Sequence, residues 1–466
     1  MDNPNKTQDR TASGRKKRRI LPRILAAAIL LGVVFSVNHF ASVSFDKARV
    51  SDYYRSDMNR LEKAGTDIDM IILGASQVYH GCNTELIARE LGMGGEVIDC
   101  ASAGAFCDGM YYMLKDILHR FTPKYVMIDL PWTKFVDQTS SSTSRYLSSD
   151  RMKLGGKLDY IIHCLTPEEG FTVLFPLYRF GRSVWGFSQL KNHFLTRKAI
   201  REGNWEDEAD RKYRKNGFVW EYKSCPEGGI PAELFLYSED VINHDYVEYV
   251  RKMVNLCKEK QIPVSLMTMP ASTADLYGIE NYQASADYMQ SLADELGCMY
   301  LNFNLVKGRE EFLPDTCFWD TRHMNGDGST AFAPVFADIV KKAFNGEDTN
   351  GLFYDNLEEM KKNVHRIVAC NANVTPNEDG TLSVSAWSLQ NDDITPQYRL
   401  GLVESSPDDA VDGEDRIQEL CPWQEEGAFL VDRSAIPEGY MLRVEARQKG
   451  NEKYDAFQNL PGAGMA

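Results

Sequence analysis

From residue 69 onward, short apolar runs and amphipathic helical stretches take turns along the chain. Asp69–Leu73 reads as a strand, Asn83–Leu91 as a helix, Glu96–Cys100 as a strand, Gly109–Phe121 as a helix and Tyr125–Leu130 as a strand. The rhythm stops near residue 140 and returns with a helix over Tyr246–Lys260, the strand Val264–Met269, a helix over Tyr282–Leu296, the strand Tyr300–Phe303 and a helix after Gly328. Strands that alternate with helices at this spacing are joined by crossovers, and crossovers produce parallel pairing. The expected fold class is α/β, a three-layer parallel sheet of about five strands. An apolar strand of such a sheet delivers the residue that follows it to the carboxyl edge, where open sheets bind ligands.

The boundaries of this α/β domain follow as 66–345, interrupted by an insertion over 140–240 that has little periodicity and many aromatic and charged residues, as in Asn204–Glu208. An insertion of this length shapes a cleft or decorates the sheet. Beyond residue 350 the period changes to two. Thr381–Trp387, Tyr398–Val403 and Tyr440–Ala446 alternate apolar and polar residues, and Asn377–Gly380 is a hairpin signal. A small antiparallel β-sandwich over 350–466 is expected.

Charge separates the first residues from the rest. Residues 1–23 hold eight Lys or Arg against two Asp, a surplus of six, which leaves the remainder at −21 within a total of −15. An acidic body lacks the basic footprint that nucleic acid demands. The run Arg15–Arg19 sits just before an apolar stretch that carries no formal charge from Ile24 to Phe45. Basic residues before an apolar span mark a cytoplasmic flank. The expectation is a cytoplasmic tail over 1–23, one transmembrane anchor over 24–45, a polar stalk over 46–65 and an extracellular body. A cleaved signal segment is the competing reading, and it exports the same body.

Ten cysteines are scattered with no CxxC pair, so no disulfide framework can be assigned. Cys82, Cys100 and Cys107 read as small buried residues or halves of disulfides rather than nucleophiles. The loop Asp320–Gly328 has no calcium-loop spacing, no motif carries metal ligands, and neither metal nor cofactor is expected.

Two segments carry chemistry. Ile71–Ser76 would place Ser76 at the sheet edge, and Asp320-Thr321-Arg322-His323 has an imidazole three residues after a carboxylate. If the two meet, His323 can take the Ser76 proton while Asp320 orients the ring. His80, four residues after Ser76, is expected to face outward. Asp129 and Trp132, after the third strand, are expected to line the cleft, although a strand-end carboxylate such as Asp129 also caps nearby amides.

The ordered set Gly74-Ala75-Ser76, Ala103-Gly104 and Asp320-x-x-His323 resembles the SGNH (GDSL-type) hydrolase superfamily. It is similar to the membrane-anchored branch that includes the teichoic-acid D-alanylation protein and the alginate-type O-acetyltransferases. The resemblance implies Ser76 as nucleophile, Asp320 and His323 as its partners, and backbone N–H groups of Ser76 and Gly104 as the oxyanion hole. Typical members also carry an Asn in a third block, where this chain reads Met127-Ile128-Asp129-Leu130-Pro131-Trp132. The resemblance further implies an extracytoplasmic esterase or O-acyl(acetyl)transferase acting on acyl esters of a cell-envelope polysaccharide, with a multi-span membrane acyltransferase as partner. An inactive envelope-binding or assembly protein with the same fold is the rival expectation.

Overall fold

The computed structural model describes residues 22–38, 50–130, 142–175, 178, 187–202, 211–404 and 417–461. At its centre is a five-stranded parallel sheet. Strands β1 (Ile68–Leu73), β2 (Glu96–Asp99), β3 (Tyr125–Asp129), β4 (Val264–Thr268) and β5 (Met299–Asn302) lie in the order β2-β1-β3-β4-β5. Every residue of β1, β3 and β4 is buried. Both faces of the sheet are therefore covered, which is why Met70–Leu73 and Tyr125–Ile128 read as continuous apolar runs rather than alternating ones. Each fully buried aliphatic side chain, such as Ile71 or Leu73 at 0% exposure, contributes about 1.5–3 kcal/mol of transfer free energy.

The crossovers explain which helix covers which face. Right-handed connections put α4 (Thr84–Leu91), which follows β1, on the face opposite α5 (Cys107–Ile117), which carries the chain from β2 back across β1 to β3. Consistent with that, α4 packs on α11 (Gly326–Phe344), while α5 packs on α9 (His244–Glu259). Helix α10 (Tyr282–Glu295) joins β4 to β5. Side-chain caps set the starts: Asn83 Oδ1 accepts from the Leu86 N–H of α4, and Asn325 Oδ1 from the Gly328 N–H of α11. In this strand order the direction of winding reverses between β1 and β3, and the crevice at their carboxyl ends is where such sheets hold ligands.

The C-terminal region forms two antiparallel sheets. Strands β6 (Ala369–Pro376), β7 (Thr381–Leu389) and β10 (Ala428–Asp432) make one, and β8 (Pro396–Glu404), β9 (Gln418–Gln424), β11 (Tyr440–Gln448) and β12 (Ala456–Leu460) make the other. Leu382, Val384 and Val431 of the first share a core with Leu400, Leu442 and Val444 of the second.

Of the 24–45 span, residues 24–38 are described, as part of helix α1 over 22–38, and among the described residues no helix is long and apolar enough to cross a membrane. Its large side chains, from Ile24 at 59% to Val37 at 37%, are nonetheless exposed. The stretch expected as a stalk is instead built into the body. In α2 (Val50–Ala64), Tyr53, Tyr54, Met58 and Leu61 are buried in the main core, and the Tyr54 hydroxyl donates to Cys100 Sγ at 3.3 Å. Its apolar residues recur at helical spacing, so a polar average concealed a core-facing stripe.

Candidate active site

The nucleophile candidate is placed by the end of β1. Leu73 pairs with Ile128, which sets Gly74 beside Asp129, and a Cβ on Gly74 would come within 2.2 Å of Val78 Cγ2 and 3.0 Å of Asp129 Cβ. Only glycine fits there. After Ala75, in extended backbone, Ser76 opens the short helix α3 (Ser76–Gly81). The turn after β2 is tied to the same point, because Ser102 N–H donates to the Gly74 carbonyl at 3.2 Å. Gly104 lies in that turn with φ +64, a conformation that favours glycine.

The base candidate sits in a tight turn stitched from several sides. Phe318 and Met324 form a β-bridge, and Trp319 N–H donates to the His323 carbonyl at 3.1 Å. Asp320 Oδ1 accepts the backbone N–H groups of Arg322 and His323, each at 2.8 Å. Outside the turn, Cys225 N–H donates to Phe318 O at 2.8 Å, Ser272 N–H to Thr321 O at 2.9 Å and Gln77 Nε2 to Arg322 O at 3.3 Å. Gln77, next to the serine, thus ties α3 directly to the turn.

The two pieces meet. Ser76 Oγ lies 2.7 Å from His323 Nε2. His323 Nδ1 lies 2.7 Å from Asp320 Oδ2 and 2.9 Å from Oδ1. With Nδ1–H donating to the carboxylate, Nε2 is left as the acceptor that faces the hydroxyl. Partial burial by itself would raise the Asp320 pKa, but the hydrogen bond and charge of His323 and the two backbone N–H donors outweigh it, so the carboxyl is held below its usual range. The group that must stay ionised is held ionised.

An aromatic wall backs the imidazole. Trp319 stacks on His323 with centroids 5.1 Å apart and planes 23° from parallel. His80 meets both edge-on, 5.9 Å from each ring. This corrects the outward placement of His80, which is 3% exposed. A residue four positions on shares a helix face with its predecessor, so the face that turns Ser76 toward His323 turns His80 inward too. Burial, and next the adjacent His323, lower its pKa to about 3.

The remaining site expectations divide. Asp129 is 0% exposed and its Oδ1 accepts the Met269 N–H at 3.0 Å, so it caps backbone beneath the serine turn instead of lining the cleft. Trp132 lies outside the described residues. Cys82, Cys100 and Cys107 are buried, and no disulfide joins any of the ten cysteines. Among the described residues no group of three or more His, Cys, Asp or Glu is arranged to hold a metal ion. Sequence reading passed over Trp319 and the Arg322 fork, in which Nε reaches Asp275 at 3.0 Å and Nη2 reaches Glu233 at 2.9 Å. The available signal was adjacency in the chain, of Trp319 to Asp320 and of Arg322 to His323. Burial raises the Asp275 pKa to about 6 against the opposing pull of Arg322.

No family model matches the chain, and no curated protein matches it. Among solved structures it is similar to a Bacteroides fragilis protein named as an acylhydrolase, at 12% identity and a TM-score of 0.29, over 62% of this chain and 97% of that one. It is also similar to a GDSL-like lipase from Bacteroides thetaiotaomicron, at 12% identity and a TM-score of 0.27, over 62% and 99%. Overlap this loose leaves the chemistry to be argued from the side chains themselves.

Proposed function

We propose that this chain is a serine-dependent enzyme of SGNH type that takes acyl groups from oxygen esters through a Ser76 acyl-enzyme. The observation that carries the reading is the continuous relay from Ser76 Oγ to His323 Nε2 and from His323 Nδ1 to Asp320. His323 accepts the hydroxyl proton as Oγ bonds to the ester carbonyl carbon. The resulting oxyanion is stabilised by the backbone N–H groups of Ser76 and Gly104. Collapse of the intermediate breaks the ester C–O bond, and His323 returns its proton to the leaving alkoxide. Water or a second hydroxyl, deprotonated by the same ring, then attacks the acyl-serine and regenerates Ser76.

In the fuller form of the proposal the esters belong to a cell-envelope polysaccharide. The body stands outside the membrane, held there by the 24–45 segment, and a sugar hydroxyl accepts the acyl group in preference to water. A multi-span membrane acyltransferase is the proposed donor partner. Support for this form comes from the basic run Arg15–Arg19 ahead of an uncharged apolar segment and from the exposed apolar side chains of α1.

A fluorophosphonate probe tests the chemistry. The folded wild-type chain should label and Ser76→Ala should not, whereas a folded wild-type chain that never labels leaves the rival, an inactive binding protein. Supplying an acetyl ester with and without an oligosaccharide separates the acceptors. Transfer loses if acetate release is unchanged by the sugar and no acetylated sugar forms.

A further inference from the structure

The part of the insertion nearest α1 carries large apolar side chains on its outward face. In α7 (Leu154–Cys164), Leu154, Leu158 and Ile162 recur every four residues on one face and are 64%, 40% and 74% exposed. The opposite sides of α7 and α8 (Pro167–Leu174) meet the body through the buried Tyr160 and Val173 and through polar contacts. The Tyr160 hydroxyl donates to Asp108 Oδ2 at 3.2 Å, Lys115 Nζ reaches Asp159 at 2.6 Å, and Arg145, from α6 (Ser142–Arg151), reaches Glu169 at 3.0 Å. A surface helix in water carries its apolar stripe toward the core and its polar residues outward. Here the stripe faces away from the protein.

Helix α7 packs on α8, and α8 reaches α1 through aromatic contacts. Phe171, 48% exposed on α8, contacts Phe175 at 4.6 Å and Tyr178 at 5.2 Å between ring centroids. Phe175 in turn contacts Phe35 of α1 at 6.4 Å. Next to that contact, Asn38 Nδ2 donates to the Leu174 carbonyl at 2.6 Å, fixing the end of α1 against the end of α8. Exposed apolar side chains therefore stand on all three neighbouring helices: Leu154, Leu158 and Ile162 on α7, Phe171 on α8, and Phe35, Leu31 and Ile24 on α1. Contiguous exposed apolar patches mark membrane or partner surfaces.

We infer that the outward face of α7 and α8 is a membrane-contacting platform, seated in the headgroup and acyl boundary of a lipid bilayer alongside α1. The bilayer is the chosen occupant because the face adjoins α1, and α1 is preceded by five consecutive Arg and Lys residues at 15–19, the charge that suits anionic headgroups. Phe171 and Tyr178 supply the aromatic residues favoured at that depth. The inference rests on the membrane-held part of the proposed function and deepens it: the body would be fixed close to the lipid at two places, α1 and the α7–α8 platform. A body fixed at two places cannot swing freely on its tether.

The test uses the full chain bound to vesicles of phosphatidylethanolamine and phosphatidylglycerol. An environment-sensitive NBD fluorophore is attached at Ile162→Cys, at Phe171→Cys, and at the control Leu430→Cys, which is 66% exposed on β10, with wild-type labelling subtracted as background. At 162 and 171 the emission should shift to the blue on vesicle binding and be quenched several-fold more strongly by brominated lipid than at 430. Water-like emission at 162 and 171, in a chain that floats with the vesicles, would overturn the platform and assign the face to a protein partner. A chain that does not float overturns the platform together with the membrane anchor. Neither result touches the catalytic reading, because fluorophosphonate labelling of Ser76 in detergent is read separately and also shows that each variant is folded.

Discussion

The indole of Trp319 lies over the imidazole of His323, 5.1 Å between centroids and 23° from parallel. Stacked this way, the aromatic face meets positive charge on the ring at the moment His323 takes the Ser76 proton. A cation–π contact of this kind is worth about 0.5–2 kcal/mol, which corresponds to roughly 2-fold to 30-fold in rate. Trp319→Leu, with the Ser76, His323 and Asp320 side chains retained, should slow phosphonylation of Ser76 by the fluorophosphonate by that factor, and Trp319→Phe by less. Equal second-order rate constants in all three proteins would leave the stack with no part in the chemistry.

Asp320 has two duties, and its amide variant should separate them. The carboxylate receives His323 Nδ1–H and also two backbone N–H groups through Oδ1. In Asp320→Asn the carbonyl oxygen can keep the backbone bonds, while the side chain no longer stabilises the imidazolium and permits the wrong tautomer. Loss of about 10⁴-fold in turnover is the precedent for this change in serine triads. The expected outcome is a folded protein with a modestly lowered melting temperature and with labelling reduced by orders of magnitude. A variant that unfolds instead would show that the carboxylate chiefly holds the turn. Because the folded-state pKa of Asp320 is depressed, its stabilising contribution is present at neutral pH and is lost as pH falls through the carboxylate range.

How much of this was legible depended on whether the signal was periodic or spatial. The strands β1, β3 and β4 announced themselves because both sheet faces are covered, so nothing polar interrupts Ile71–Leu73 or Val126–Ile128. Ser76 and the Asp320–His323 pair were found because strand end and turn spacing place them. The stack of Trp319 on His323 was not legible, since it depends on a β-bridge between Phe318 and Met324 that folds the turn back on itself. His80 went wrong for a simpler reason. Four residues on from Ser76 is the same face of a helix, and that face is the buried one.

Gly326 ties the insertion to the site. A Cβ there would fall 1.9 Å from Trp220 Cε2, so the indole of the 211–221 hairpin lies flush against the first turn of α11. Gly326→Ala should cost about 1–3 kcal/mol through overpacking and should also slow Ser76 labelling, because the His323 turn leads directly into that helix. Pairing it with Trp220→Leu should recover stability. If the double variant is no more stable than Gly326→Ala alone, the clash is not the cause.

Two buried groups on either side of the serine turn give stability opposite pH dependences. His80 is neutral when folded, its pKa lowered to about 3, while an unfolded histidine titrates near 6.5. As pH falls below about 6.5 the unfolded chain gains a proton that the folded chain refuses, so this group removes stability at up to about 1.4 kcal/mol per pH unit. Asp99 runs the other way. Burial raises its pKa to about 7, against the lowering effects of Arg151 and the Ala101 N–H. Between about pH 4 and 7 the unfolded carboxyl has lost its proton and the folded one has not, so stability falls as pH rises, with a similar slope. Over roughly pH 4 to 6.5 the two slopes cancel in the wild-type chain. Urea unfolding in steps of pH should therefore show His80→Phe losing stability relative to wild type as pH rises through this window, and Asp99→Asn gaining it. Asp275, raised to about 6, adds its own falling slope equally to all the proteins and drops out of each difference. In the double variant the difference from wild type should again be independent of pH. Single variants whose curves run parallel to wild type would mean that water reaches these two side chains and that neither is held in its buried charge state.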